Sequence, residues 1–186
     1  MAEATDEALM LAYRGGDAGA FVTLYRRHRA RLFRFVLRSV KSRAAAEELY
    51  QEVWMRVIEA RSRYEPRGGG GSAPKARFST WLYTIAHNLM VDHWRRAGPS
   101  LVTLDAEDLP GNSPDPARHA EGREALARFL AALESLPAAQ REAFLLHEEA
   151  GLTVAEIAAT TGANEETAKS RLRYAIAKLK AAVGDG

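Results

Sequence analysis

Cysteine is absent from the 186 residues. Its absence excludes disulfides, thiolate metal sites and cysteine nucleophiles. No apolar run approaches the roughly 18 residues that a bilayer-spanning helix requires, so no membrane insertion is expected. Residues 1–15 are mixed and acidic, with Glu3, Asp6 and Glu7, and lack the basic start and apolar stretch of a secretory signal. Alternating runs of β-branched residues are missing, so no strand is expected. These absences lead to the expectation of a soluble, cytoplasmic, all-α protein.

Proline is scarce outside two clusters, with only Pro137 lying beyond them. Pro99, Pro110, Pro114 and Pro116 fall together with Gly98, Gly111 and Asn112, a density that breaks helices. The chain is therefore expected to form two small helical domains, 1–97 and 120–186, joined by a flexible linker over 98–119. A second break, 66–74, contains four consecutive glycines at 68–71. It is expected to be a flexible spacer loop within the first domain. No Gly-Lys-Ser/Thr follows it, so it is not a phosphate-cradling loop.

What remains is rich in alanine, leucine, arginine and glutamate, all good helix formers. Apolar spacing predicts helices over 6–15, 18–39, 44–61 and from about 79, with Ser79 as the cap of the last. Beyond the linker it predicts helices over 121–135, 138–149, 154–160 and 165–183. Net charge is only +2, yet it is unevenly spread. Residues 1–97 carry 17 basic and 10 acidic side chains, and 141–166 one basic against six acidic. Residues 167–183 carry five basic and no acidic ones. The basic first half and the basic last helix read either as two polyanion footprints or as solvated faces.

The C-terminal segment decides for the footprint. Thr153 and Glu156 form a capping box at the start of a short helix. Gly162 supplies a turn with positive φ. Asn164 then caps a helix that carries Lys169, Ser170, Arg171, Arg173 and Tyr174 over a buried stripe of Leu172, Ile176 and Leu179. Short helix, glycine turn and basic second helix form the helix-turn-helix pattern, whose second helix enters the major groove. In residues 78–96, Leu82, Ile85 and Leu89 read as core. Trp81, Asn88, Asp92 and Arg95 fall on another face, and Arg96 follows. Rings beside an amide and guanidinium groups suit single-stranded nucleic acid, while Trp81, Tyr83 and Trp94 can equally pack the core. His87, Asp92 and His93 do not share one helical face, so no metal site is expected there. Glu47, Glu48, Gln51 and Glu52 form an acidic patch in a basic domain, suited either to a basic protein surface or to solvent.

Taken in order, these segments resemble a known family. Ala46-Glu47-Glu48-Leu49-Tyr50-Gln51-Glu52 resembles the sigma-factor region that grips the clamp helices of the RNA polymerase β′ subunit. Phe78-Ser79-Thr80-Trp81, continuing to Asn88, is similar to the region that melts and reads the minus-ten promoter element. Leu136-Pro137, Arg141-Glu142, Gly151 to Ala158 and Thr167 to Arg171 together resemble region four, which reads the minus-thirty-five element. Two domains and a short linker match the extracytoplasmic-function group, and the resemblance spans about 6–182.

The resemblance implies a non-catalytic promoter-specificity factor without a cofactor. Its implied partners are core RNA polymerase through both β′ and β, promoter DNA, and an anti-sigma factor. Glu47, Glu48, Gln51 and Glu52 would face the clamp, Asn88 the captured minus-ten base, and Arg95 and Arg96 the phosphates. Lys169, Ser170, Arg173 and Tyr174 would face the minus-thirty-five duplex. The last helix departs from many relatives in beginning Asn164-Glu165-Glu166-Thr167, and in carrying Tyr174 and Ile176 where arginines are frequent. Two rivals are a DNA-binding regulator that is not a polymerase subunit, and an all-α enzyme. The first leaves the acidic patch and 81–96 without a purpose. The second lacks any nucleophile–base pairing.

Overall fold

The structure, a computed structural model, describes residues 4–66, 77–97 and 116–184, with side chains from residue 122 onward in the last stretch. Both the expected linker core and the four-glycine segment lie outside the described residues. Among the described residues there are eight α-helices and no strand. They are α1 (Asp6–Arg14), α2 (Ala18–Val40), α3 (Arg43–Ala60), α4 (Phe78–Ala97), α5 (Pro116–Ser135), α6 (Ala138–Glu148), α7 (Val154–Thr161) and α8 (Glu165–Gly184), with one 3-10 turn at Arg61–Arg63 after α3.

Local chemistry sets the helix starts. The Thr5 hydroxyl accepts from the Ala8 amide, Asp17 from Gly19 and Ala20, and Ser42 from Ala45. Each satisfies amides that have no partner inside the helix. The expected cap at Ser79 is a correction. Ser79 lies inside α4, and the Phe78 amide donates at 2.8 Å to Oε1 of Glu7 on α1. A neighbouring helix thus supplies the acceptor, which no local window reveals. The α2–α3 corner turns on Lys41 in the left-handed region at φ 57, a conformation that costs a side-chain-bearing residue of order 1 kcal/mol. α5 begins at Pro116, five residues before the expected start.

The first half packs α1, α2, α3 and α4 around Met10, Leu24, Leu32, Phe35, Val36, Val53, Val57, Leu82 and Met90, each without solvent exposure. The second half packs α5, α6 and α7 against α8 around Leu133, Leu145, Leu146, Ile157, Leu172 and Leu179. Full burial of one such side chain contributes about 1.5–3 kcal/mol, and the buried apolar residues of the two halves form one continuous cluster. Leu82 is core as expected. Ile85 and Leu89 are only half-buried, because their helix face opens onto a cleft. Ile176 is likewise half-buried at the edge of its stripe.

Whether the two halves touch is not legible in the sequence. In the structure they do: α4 packs on α7 and α2 on α6. The Glu149 carboxylate receives Arg34 at 2.9 Å and Arg38 at 3.0 Å. That of Glu156 receives Arg77 at 2.7 Å and the Thr80 hydroxyl at 3.0 Å.

Candidate nucleic-acid and polymerase interface

α3 and α4 lie side by side and build two adjoining clefts. Leu49, Val53 and Val57 turn inward and anchor α3, so Glu47, Glu48 and Gln51 stand exposed and Glu52 half-exposed on the outer side. Glu47 and Glu52 are held by i,i+4 partners, Arg43 at 3.1 Å and Arg56 at 2.8 Å. Exposed pairs of this kind contribute only about 0.3–0.5 kcal/mol. A cationic partner can displace them at little cost.

The first cleft, about 780 Å³, is lined by Glu48, Glu52 and Arg56 of α3 and by Asp92, His93, Arg95 and Arg96 of α4. Glu48 and Glu52 of the acidic patch therefore share one cleft with the terminal arginines of α4, while Glu47 and Gln51 are not among its lining residues. Arg95 lies 3.6 Å from the Asp92 carboxylate, and Arg96 donates to the Asp92 carbonyl at 3.2 Å. The second cleft, about 420 Å³, is lined by Trp81, Ile85, Asn88, Leu89 and Asp92 on one wall and by Arg56, Glu59 and Arg63 on the other. Asn88 is exposed and lines this space.

The rings divide. Trp81 is half-buried, 5.0 Å from Tyr64 and 5.9 Å from Phe78 between centroids. It serves the core and the cleft at once. Tyr83 is fully buried, edge-on to Phe35 at 5.1 Å, with its hydroxyl donating to the Glu149 carbonyl at 3.3 Å. Burial pushes its phenol pKa up, and it is core alone. Trp94 is half-buried and packs against the core. His87 does not join Asp92 and His93; it pairs with Glu142 of the other half at 2.5 Å.

At the other end of the chain, the capping box of Thr153 and Glu156 is formed, and Gly162 takes φ 68. The Thr167 amide donates to Asn164 at 2.8 Å. Ala168, Leu172, Ala175 and Leu179 bury one stripe of α8. Lys169, Ser170, Arg173 and Tyr174, spaced i, i+1, i+4 and i+5, stand opposite that stripe. Lys169, Arg173 and Tyr174 are exposed, Ser170 half-exposed, and the Arg173 guanidinium lies 5.2 Å over the Tyr174 ring. Arg171 is half-buried at the edge of this face.

Sequence reasoning missed Arg56 and Arg63. Both belong to the cleft walls, and Arg56 lines both clefts. A usable signal for Arg56 was its place four residues after Glu52, on the same face of α3.

A helical half with an acidic face beside a basic aromatic helix, followed by a helical half with an exposed basic recognition helix, is the architecture of the sigma-70 class. The family model for Sigma-70 region 2 matches residues 24–99, and that for Sigma-70 region 4 matches residues 126–179. The chain is 33% identical over 177 residues to the RNA polymerase sigma factor CarQ of Myxococcus xanthus, covering 95% of this chain and 96% of CarQ. It is also 33% identical over 166 residues to the ECF RNA polymerase sigma factor SigL of Mycobacterium tuberculosis, covering 88% of this chain and 89% of SigL. Its fold matches the sigma factor RpoE in complex with the anti-sigma factor NepR from Bartonella quintana, with a TM-score of 0.67 at 24% identity, over 89% of this chain and 97% of RpoE. The chain belongs to the extracytoplasmic-function RNA polymerase sigma factors, which confer promoter specificity at transcription initiation. No helix among the described residues is long and apolar enough to cross a membrane.

Proposed function

We propose that this sigma factor works through three faces. The α3 face of Glu47, Glu48, Gln51 and Glu52 docks on the β′ clamp helices of core polymerase, and β completes the interface. The α4 face of Trp81, Asn88, Asp92, Arg95 and Arg96 holds the melted minus-ten strand. The α8 face of Lys169, Ser170, Arg171, Arg173 and Tyr174 reads the minus-thirty-five duplex. The division into 1–97, a 98–119 linker and 120–186 follows from these roles.

The observation that carries the reading is the shared α3–α4 cleft. Polymerase-facing carboxylates and phosphate-facing arginines line the same space, so docking on polymerase brings the strand-binding groups to the DNA it opens. In the adjoining cleft Asn88 sits beside the half-buried Trp81. There an extruded base can stack and hydrogen-bond, offsetting the few kcal/mol that unstacking costs. The protein acts in the cytoplasm, catalyses no bond change itself, and is held in check by an anti-sigma factor. The complex of RpoE with NepR, which shares this fold, supports that last point.

Run-off transcription from a genomic fragment library with core polymerase tests the reading. Protein-dependent transcripts sharing two spaced upstream elements are expected. Glu48→Arg is expected to abolish them together with core-polymerase pulldown. Asn88→Ala is expected to leave the pulldown intact and to lower transcript yield roughly ten- to hundredfold, the range for removing the hydrogen bonds to one base edge. Tight, sequence-specific duplex binding without polymerase, and no transcripts with it, would instead identify a free-standing regulator.

A further inference from the structure

The exposed face of α8 has an acidic member that the basic residues around it do not explain. On a helix of about 3.6 residues per turn, each residue advances about 100° around the axis. With Lys169 as the origin, Arg173, Ser170 and Tyr174 lie at about 40°, 100° and 140°, so the face they form is centred near about 70°. The buried stripe of Ala168, Leu172, Ala175 and Leu179 falls on the far side, between about 240° and 300°. Glu166 falls at about 60°, on the centre line of the open face and one turn before Lys169. Glu165 falls at about 320°, beside the buried stripe. Both carboxylates are exposed, but only Glu166 shares the face of Lys169, Ser170, Arg173 and Tyr174.

Glu166 is not engaged within the protein. The Thr167 amide donates to the Asn164 side chain at 2.8 Å, so the helix start is capped without Glu166. Glu156 of α7, by contrast, is occupied by Thr153, Thr80 and Arg77. Among the described residues no hydrogen bond or ion pair reaches Glu166, and the Arg173 guanidinium lies over the Tyr174 ring instead. A free carboxylate on a DNA-facing surface is repelled by phosphate and gains only where it meets a donor. The first residues of the second helix in a helix-turn-helix meet base edges in the major groove. That groove offers two base donors, cytosine N4 and adenine N6, whereas guanine shows only acceptors and thymine an acceptor and a methyl group. Adenine carries the acceptor N7 beside N6, which repels a carboxylate, so cytosine is the base that fits.

We propose that Glu166 is a specificity-determining residue of α8: its carboxylate accepts from the N4 amino group of one cytosine in the upstream promoter element. Lys169 and Arg173 lie within about 60° of it around the axis and offset its charge toward the phosphates. The assignment rests on the role proposed above for α8; the choice of cytosine rests on the position and chemistry of Glu166.

The test uses holoenzyme assembled from core polymerase and the full chain, on promoters recovered by run-off transcription with each upstream position varied through all four bases. The unsubstituted protein is expected to prefer cytosine about five- to tenfold at one position, the lower end of the range for a base contact. In Glu166→Ala and Glu166→Gln that preference is expected to fall to about twofold or less. In Glu166→Gln adenine is expected to take its place, because a glutamine amide pairs with adenine N6 and N7. Glu165→Gln is expected to leave every preference unchanged. Circular dichroism checks that helix content is the same in all variants. A cytosine preference that survives in both Glu166 variants overturns the assignment, since a cation reading the opposite guanine then accounts for it. So does the absence of any cytosine preference in the unsubstituted holoenzyme, or a shift produced by Glu165→Gln alone. An upstream element whose scrambling changes nothing overturns the α8 role and this assignment with it. An element that matters but keeps its base preferences in every variant overturns the assignment alone.

Discussion

Glu156 has three tasks at once. It closes the capping box with Thr153, accepts from Thr80 and pairs with Arg77. Burial pushes its carboxyl pKa up, but hydrogen bonds from Arg77, Thr153 and Thr80 outweigh burial and hold it down at about 2. A carboxyl whose folded pKa is depressed stabilises the fold fully above its ordinary value near 4.5, and loses that contribution as pH falls toward 2. The Glu156 contribution is therefore constant across neutral pH and disappears only between about 4.5 and 2. A carboxyl-detected NMR titration of the full chain checks this: a midpoint near 4.5 would contradict the bonding described for this residue. The capping half was legible in the sequence, because Thr153 and Glu156 are three residues apart. The Arg77 and Thr80 half was not, because those partners are more than seventy residues away along the chain.

Among the elements, the helix-turn-helix was almost fully readable. Its start, turn and second cap each rest on short-range chemistry at Thr153, Gly162 and Asn164. Thr153→Ala is expected to cost about 1 kcal/mol. Gly162→Ala, at φ 68 with open space around the added methyl, is expected to cost about 1 kcal/mol through backbone strain alone. Thermal unfolding monitored by circular dichroism measures both. α4 was read less well. Its apolar spacing marked Ile85 and Leu89 as core, but periodicity reports only which residues share a face. The space beside α3 decides whether that face is filled or left as a cleft. The same holds for the start of α4, set by Glu7 rather than Ser79. For the arginines at the end of α4, Arg95→Ala with Arg96→Ala is expected to weaken holoenzyme binding to melted DNA. For each single-strand phosphate no longer neutralised, the slope of log affinity against log salt is expected to fall by about 0.7.

On the scale of the whole molecule, the two halves share one continuous apolar cluster and are joined besides by the ion pairs of Glu149 and Glu156 with Arg34, Arg38 and Arg77. On the roles proposed for α4 and α8, tethering to one polymerase would let the two faces act on one promoter, each raising the effective concentration of the other. A promoter carrying both elements is expected to bind holoenzyme about 10²–10⁴-fold more tightly than one with the upstream element scrambled. Filter binding or fluorescence anisotropy at fixed salt measures the ratio, and near-equal affinities would argue that α8 contributes nothing.

The all-α class, the two-part organisation and the helix-turn-helix follow from local spacing, capping residues and ordered motifs. All of these depend on neighbours within about ten positions, which a linear reading captures. The tertiary structure alone decided the rest. It joined Glu48 and Glu52 with the terminal arginines of α4 in one cleft and sent Tyr83 into the core while leaving Trp81 at the edge. It also set Glu149 between Arg34 and Arg38 across more than a hundred residues. Those outcomes depend on which helix faces meet and how much room remains between them. Pairing across such a distance in the chain leaves no periodic trace in the sequence.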